Sequence, residues 1–426
     1  MSRRLILLLV IIALPVVLLC AGKVWAQPPS MLSPVTESER TAYAPITGTW
    51  ELADTVWPTF AHDFQRTGRS PLVGITQSHV IETWRGYTSQ ASAYSVGLNH
   101  TLFVKNVSQT DIFDLATHQV LGELTGGGCA STPTHMSNGY IFYGDEFTDV
   151  AYDPQWQIVW QFFHSGGCLQ ISPVMAPDGT LYFPIGSIGG SALLAADALT
   201  GNILWSYPLS VHGPGGLALG EDGTIYANTH SGLHAVNPDG SRKWYLNDIG
   251  NGTMSSSIGS DGTIYTVSDD RLTALLPDGT PLWHFAYPDR LCSYRAMAIS
   301  PDGTIYLPTI KQNLSDPAAH FYAVNPDGSM KWVFSRPVPG DHGFCNSPVV
   351  DSLNNVIICA DDGACYALNP EGELLWTYEV HPDFDIREQP ILAEDGVVYI
   401  RSINFTIRLE GLNLDRQLFV PLTVRD

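Results

Sequence analysis

Positive charge is scarce in this chain. It carries 21 Lys and Arg against 42 Asp and Glu over 426 residues, a formal net charge of −21. A surface this acidic repels phosphate backbones and anionic lipid, which excludes nucleic acid and an anionic membrane surface as partners. Helical periodicity is missing, which excludes bundles and α/β folds. After Cys20 no apolar run approaches the roughly 18 residues that would cross a bilayer. The motifs G-x-S-x-G and H-E-x-x-H are absent, so no nucleophile arrives with a fixed base and no catalytic residue is assigned. No C-x-x-C occurs, and the acidic pairs in "GDEF", "SDDR" and "ADDG" lack the alternating spacing of a calcium loop. No metal ligand is assigned. These pairs read as solvated surface, with calcium the one ion they leave open.

What is present begins with Arg3 and Arg4 ahead of the apolar run Leu5 to Cys20, followed by "AGKVWAQ". Small-residue spacing at Val24 and Ala26 reads as a secretory signal peptide over residues 1–26. An uncleaved anchor and a lipoprotein site at Cys20 are the alternatives. Residues 27–56, with "QPPSMLSPVTESERT", read as a flexible linker. Residues 57–426 read as one domain, placed in the periplasm or outside the cell and predicted to be a monomer.

That domain repeats itself. "NHTLF" at 99, "NGYIF" at 138, "DGTLY" at 178, "DGTIY" at 222, 261 and 302, "NNVII" at 354 and "DGVVY" at 395 make eight copies of one phrase. Asp-Gly and Asn-Gly supply the positive φ of a tight hairpin turn, and the following β-branched and aromatic residues form strands. A second phrase ends on tryptophan: "NPDGSRKW" at 237, "LPDGTPLW" at 276, "NPDGSMKW" at 325 and "NPEGELLW" at 369. Each unit therefore reads as four antiparallel strands. One such sheet cannot bury both faces alone. Eight packed around an axis can, so the expectation is an all-β, eight-bladed β-propeller. The repeated tryptophan positions are Trp160, Trp205, Trp244, Trp283, Trp332 and Trp376, with Gly122 and Phe419 as departures and Trp84 as a ninth. Nine outer strands for eight inner sets predict that one terminus completes the other's sheet. The blade holding Gly122 is expected to be the least firmly packed.

These units resemble the pyrroloquinoline-quinone-like propeller repeat, with its "LYALN" strand, turn, glycine and tryptophan; "FYAVN" and "CYALN" are the matching strands here. "WPTFAHDFQRTGRS" at 57–70 is similar to the opening of many secreted proteins of that class. The resemblance implies a propeller over about residues 57–420. The class includes quinone-dependent dehydrogenases, which use two adjacent cysteines above the cofactor. No Cys-Cys pair exists here, so the quinone is not predicted and no cofactor is assigned.

Six cysteines remain beyond the signal, and an exported chain invites disulfides. Cys129 and Cys168 open inner strands of adjacent units, as do Cys292 and Cys345, while Cys359 and Cys365 flank "ADDGA". The pairs 129–168, 292–345 and 359–365 are expected. The unusual side chains collect in loops that join one blade's outer strand to the next inner strand: His164, His212, His342 and His381, with Arg295, Arg387 and Glu388 at strand starts. Loops on a rigid scaffold are where binding residues concentrate. The leading expectation is a non-enzymatic binder of a protein or glycan through this loop-rich face. An extracellular carbohydrate hydrolase or lyase, with His and Arg at the channel mouth, is the alternative, and a quinoprotein oxidoreductase is a more remote one.

Overall fold

The computed structural model describes residues 50–412 apart from 56–57, 89–92, 107–108, 126–130, 145–147, 164–170, 188–189, 210–213, 251–253, 269, 292–294, 312–317, 338–341, 380–385, 387 and 403. The chain is an eight-bladed β-propeller of four-stranded antiparallel blades. Blades 1 to 7 follow chain order over residues 93–125, 134–163, 174–209, 214–246, 257–286, 298–337 and 349–379. Blade 8 takes Ile391–Leu392, Val398–Ser402 and Phe405–Gly411 from the C-terminal side, and its outer strand is the early segment Val80–Tyr87. Seven register pairs, from Val80↔Gly411 to Tyr87↔Phe405, latch the ring. The outer tryptophan of blade 8 is therefore Trp84; Phe419 lies outside the described residues.

The two repeated phrases meet at each blade-to-blade joint. In blades 3 to 7 the tryptophan of the outer strand faces an alanine on the third strand, as in Ala235↔Trp244 and Ala323↔Trp332. A register shift sits beside each pair, the local twist of a bulge. The ring then leans onto the next blade's "PDG" turn. Trp205 covers Gly240, whose φ is +82°, and a Cβ there would stand 2.7 Å from the indole. The indole N–H completes the joint by donating to Pro238 O at 2.8 Å. Trp160, Trp244, Trp283 and Trp332 repeat this with Ala198, Pro277, Pro326 and Pro370 as acceptors. Glycine is required twice over, by its left-handed backbone and by the ring against it.

Blade 1 does not pack loosely, which corrects the expectation drawn from Gly122. Its partner turn in blade 2 reads "DPQW", so Trp156 stands where the other turns have glycine. Trp156 takes the left-handed backbone itself, at φ +62°, and a Cβ on Gly122 would stand 2.9 Å from its ring. Ile112, fully buried, replaces the usual alanine opposite Gly122. The indole comes from the opposite side of the same joint, and the volume is filled.

At the ring closure, Trp376 donates to Ile75 O at 3.1 Å, on the segment that precedes the latch strand. Trp84 stacks on His118 with 4.2 Å between centroids and 8° between planes.

Candidate functional site

The inner strands surround the axis, and residues 50–75 cross it. His135 N–H donates to Pro58 O, Leu219 to Phe64 O, Ile258 to Gln65 O, Ile299 to Thr67 O and Val350 to Gly68 O, all at 2.8–2.9 Å. These acceptors run from blade 2 to blade 6 across the ring and on to blade 7. The segment therefore lies over the axis at the end where the inner strands stop, which is the end of the Asp-Gly turns. Arg66 is its hub. With 1% of its surface exposed, it donates to Leu217 O at 2.9 Å, Ser172 O at 3.0 Å and Phe60 O at 2.7 Å. Burial lowers its pKa to about 10, still charged at neutral pH. Backbone carbonyls thus hold the guanidinium where no carboxylate chelates it. Residues 50–55, placed in the linker by their composition, belong to this floor: Trp50 is buried, and Ala53 N–H donates to His135 O at 2.8 Å.

The opposite face gathers the loops between outer and inner strands, and those between second and third strands. There Arg290 and Gly343 both pair with Ile310, so three loops of blades 5 to 7 form a small bridged sheet. Asp289 is buried beneath it. Tyr322 OH donates to Asp289 Oδ2 at 2.6 Å, and His320 Nδ1 stands 3.2 Å from that oxygen without the alignment of a hydrogen bond. Next to it, Arg336 grips Asp362 through two contacts, at 2.9 and 2.8 Å, and lies over the Tyr366 ring at 5.1 Å. A two-toothed pair of this kind is the strong form of a guanidinium–carboxylate contact. Asp361 accepts from Gly343 N–H at 2.7 Å and stands 3.2 Å from His342 Nδ1. The "ADDG" carboxylates are thus engaged by the protein's own groups. A disulfide joins Cys359 and Cys365 at the base of that hairpin.

Of the side chains singled out in the sequence, Arg295, His342, Glu388, Cys345, Cys359 and Cys365 are described; His164, His212, His381, Arg387, Cys129, Cys168 and Cys292 lie outside the described residues. Each described one has its own neighbour. Arg295 opens the inner strand of blade 6 and donates through Nε to Cys345 O of blade 7 at 2.9 Å, while its own carbonyl accepts from Ser255 N–H at 2.8 Å. Cys345 is disulfide-bonded. Glu388 opens blade 8 beside the buried Arg401, whose pKa burial lowers and whose charge Glu388 favours. Tyr94 of blade 1 donates to Gln389 O and sits in the same apolar setting, its hydroxyl pushed well above the usual range by desolvation.

Sequence reasoning missed Asp289, His320, Tyr322, Arg401 and the buried Lys105, which donates to Gly144 O at 2.6 Å and lies over Tyr143. None of them stands in a motif. Only the register of the repeat, which puts charged residues at the loop ends of otherwise apolar strands, points to Lys105 and Arg401. Among the described residues no group of three His, Cys, Asp or Glu side chains is placed to hold a metal.

A family described as outer membrane protein assembly factor BamB matches residues 229–407. The fold is similar to a europium-containing methanol dehydrogenase (TM-score 0.67, 14% identity, 83% of this chain and 89% of that one). It is similar to the quinohemoprotein alcohol dehydrogenase ADHIIG from Pseudomonas putida HK5 (0.68, 12% identity, 88% and 82%). It is also similar to BamB from Moraxella catarrhalis (0.57, 13% identity, 78% and 100%). Residues 229–407 thus match a pyrroloquinoline-quinone-like propeller repeat, and the fold is shared with these solved structures. No curated protein matches its sequence. At these identities the solved structures share the fold and nothing finer.

Proposed function

We propose that this propeller is an exported, non-enzymatic scaffold that binds a protein partner through its loop-rich face. The observation that carries the reading is the state of that face. Arg336–Asp362, His342–Asp361 and Arg295 with the Cys345 carbonyl lie in the loops and at the strand ends of blades 6 and 7, each committed to a structural contact. Catalysis needs an acid, a base and the reacting atom within reach of one point. A binding surface needs only a rigid, patterned face, and the bridged loops supply one. The match of residues 229–407 to an assembly factor supports a protein partner over a glycan. The signal peptide read at 1–26 supports export.

The proposal assigns no role to the quinone. The sequence has no adjacent cysteines, and Cys359 and Cys365 lie across a hairpin from each other. Reconstitution with quinone and calcium checks this: a quinone absorbance retained after gel filtration would overturn it.

The main test is site-specific photo-cross-linking of the full chain in its native envelope. A photoreactive residue at Arg290 or His342 is expected to yield discrete protein adducts, and one at Leu204, exposed on an outer strand, none. Adducts of equal yield at all three positions, or none at any, would refute loop-face binding. One observation favours a second reading: the buried Asp289 with Tyr322 and His320. If the protein cleaves carbohydrate there, Asp289→Asn abolishes the release of new chain ends.

A further inference from the structure

The joint between blades 8 and 1 departs from the repeat at places that most other joints build alike. In blades 2 to 7 the outer-strand tryptophan is paired with an alanine of the third strand; in blade 8 Trp84 is paired with Arg408. The turn of blade 1 reads "DLATHQV" where that of blade 3 reads "DALTGNI", so His118 stands in the place of Gly201. The hairpin turn "NHTLF" likewise puts His100 in the place of Gly179. Both histidines take the left-handed backbone themselves, at φ +58° and +55°.

On the turn face of this joint lies a cavity of about 370 Å³ whose walls carry both signs of charge. Arg408 lines it from the third strand of blade 8. Its Nη1 donates to Thr83 Oγ1 at 2.7 Å and pairs with Glu410, which fixes the guanidinium at the wall. Glu394 of blade 8 and Asp54 of the crossing segment line the same cavity as exposed carboxylates. His100 Nδ1 stands 3.6 Å from Glu394 Oε2. Its imidazole takes up space that glycine leaves open in other turns, so the cavity suits a short ligand. Val96, Leu115 and Val397 supply apolar wall.

We propose that this cavity binds a free α-amino acid with an apolar side chain. A lone anion would meet two carboxylates, and a lone cation would meet the guanidinium; each mismatch is repulsive. A zwitterion satisfies both signs. Its carboxylate lies against Arg408, the planar group best suited to receive it, and its ammonium against Glu394 and Asp54. The apolar walls then cover the side chain. The volume falls in the range of built ligand pockets, roughly 300–1,000 Å³, which join apolar lining to a few orienting polar groups. Because the cavity lies on the turn face, the inference stands apart from loop-face binding, and either can fail alone.

The test is equilibrium dialysis of the full-length protein against labelled valine, leucine, methionine and phenylalanine. The amide and the N-acetyl form of each serve as competitors. At least one amino acid is expected to be retained. Its unlabelled form should compete about tenfold better than either blocked form, because each blocked form has lost one charge-assisted contact. The double variant Asp54→Asn/Glu394→Gln changes only exposed carboxylates and should weaken binding about tenfold. Ala116 is exposed at the cavity wall, and Ala116→Trp should abolish retention by filling the space. Retention of none of the four amino acids would overturn the inference. So would equal competition by the blocked forms, unchanged affinity in the double variant, or unchanged retention in an Ala116→Trp protein that melts like the parent.

Discussion

The joint between blades 3 and 4 and the joint between blades 1 and 2 hold the same shape with the residues exchanged. In the first, an outer-strand indole, Trp205, covers a turn glycine, Gly240. In the second, a turn indole, Trp156, covers an outer-strand glycine, Gly122. Both joints use one indole with bare backbone opposite. Which blade supplies the indole is free. The exchange also moved a third residue, since the alanine opposite the usual tryptophan became Ile112 opposite Gly122. A core that has lost volume on one side recovers it from whatever neighbour can reach, because interiors are close-packed.

The sharpest way to break this comparison is to add one carbon to each glycine. Gly240→Ala meets both a left-handed backbone and a ring 2.7 Å away, and is expected to lose about 2–4 kcal/mol in urea unfolding. Gly122→Ala meets only the ring of Trp156, which can shift, and should lose about 1 kcal/mol. Equal losses would show that the joints do not differ as described.

The exchange itself can be reversed. Gly122→Trp alone crowds two indoles into one space, and Trp156→Gly alone leaves a void. The double variant restores the pattern of the other blades. It should be more stable than the sum of the singles by about 2 kcal/mol, and adding Ile112→Ala should improve it further. Additive losses would show that the two positions do not share a volume.

Both joints also hold a neutral histidine. Desolvation lowers His135 to about 3, and its Nε2 lies 2.8 Å from Ser95 Oγ across the joint between blades 1 and 2. Burial lowers His234 to about 4, and it meets Tyr207 OH at 3.1 Å across the joint between blades 3 and 4. An unfolded histidine takes up its proton near 6.5, and the folded ones do so only further down. Stability contributed by the neutral form is full above about 6.5 and drains as pH falls toward each folded value. For His135 the slope should reach about 1.4 kcal/mol per pH unit between about 6 and 4. The partly solvated His234 should give a shallower slope. Unfolding midpoints from pH 7 to 4 in His135→Gln and His234→Gln check the order; identical slopes would remove the contrast. The smallest effect belongs to the indole N–H. Trp205→Phe keeps most of the ring and loses the bond to Pro238 O, for about 1 kcal/mol by thermal unfolding.

Most of the architecture was legible in the residues. The turn phrases set the number of blades, and the surplus of outer-strand positions announced the latch; the structure then showed Trp84 rather than Phe419 as its indole. Gly122 was legible as an exception but not as half of an exchange. Its counterpart, Trp156, lies outside its own blade, and a repeat read one unit at a time does not show which volumes face each other. The candidate site was less visible. Arg295, His342 and Glu388 were marked by their loop positions, whereas Asp289, Tyr322 and Arg401 became noticeable only once folding had buried them.

Sequence alone determined the strand count, the turn chemistry, the closed ring and its acidic surface, because these follow from local backbone preference and from apolar faces too small to be covered within one blade. Tertiary structure decided where residues 50–75 lie, which carbonyls hold Arg66, which blade lends its indole to which, and that Trp50 packs between blades 2 and 3. Those outcomes depend on contacts between residues far apart in the chain, and local pattern carries no record of them.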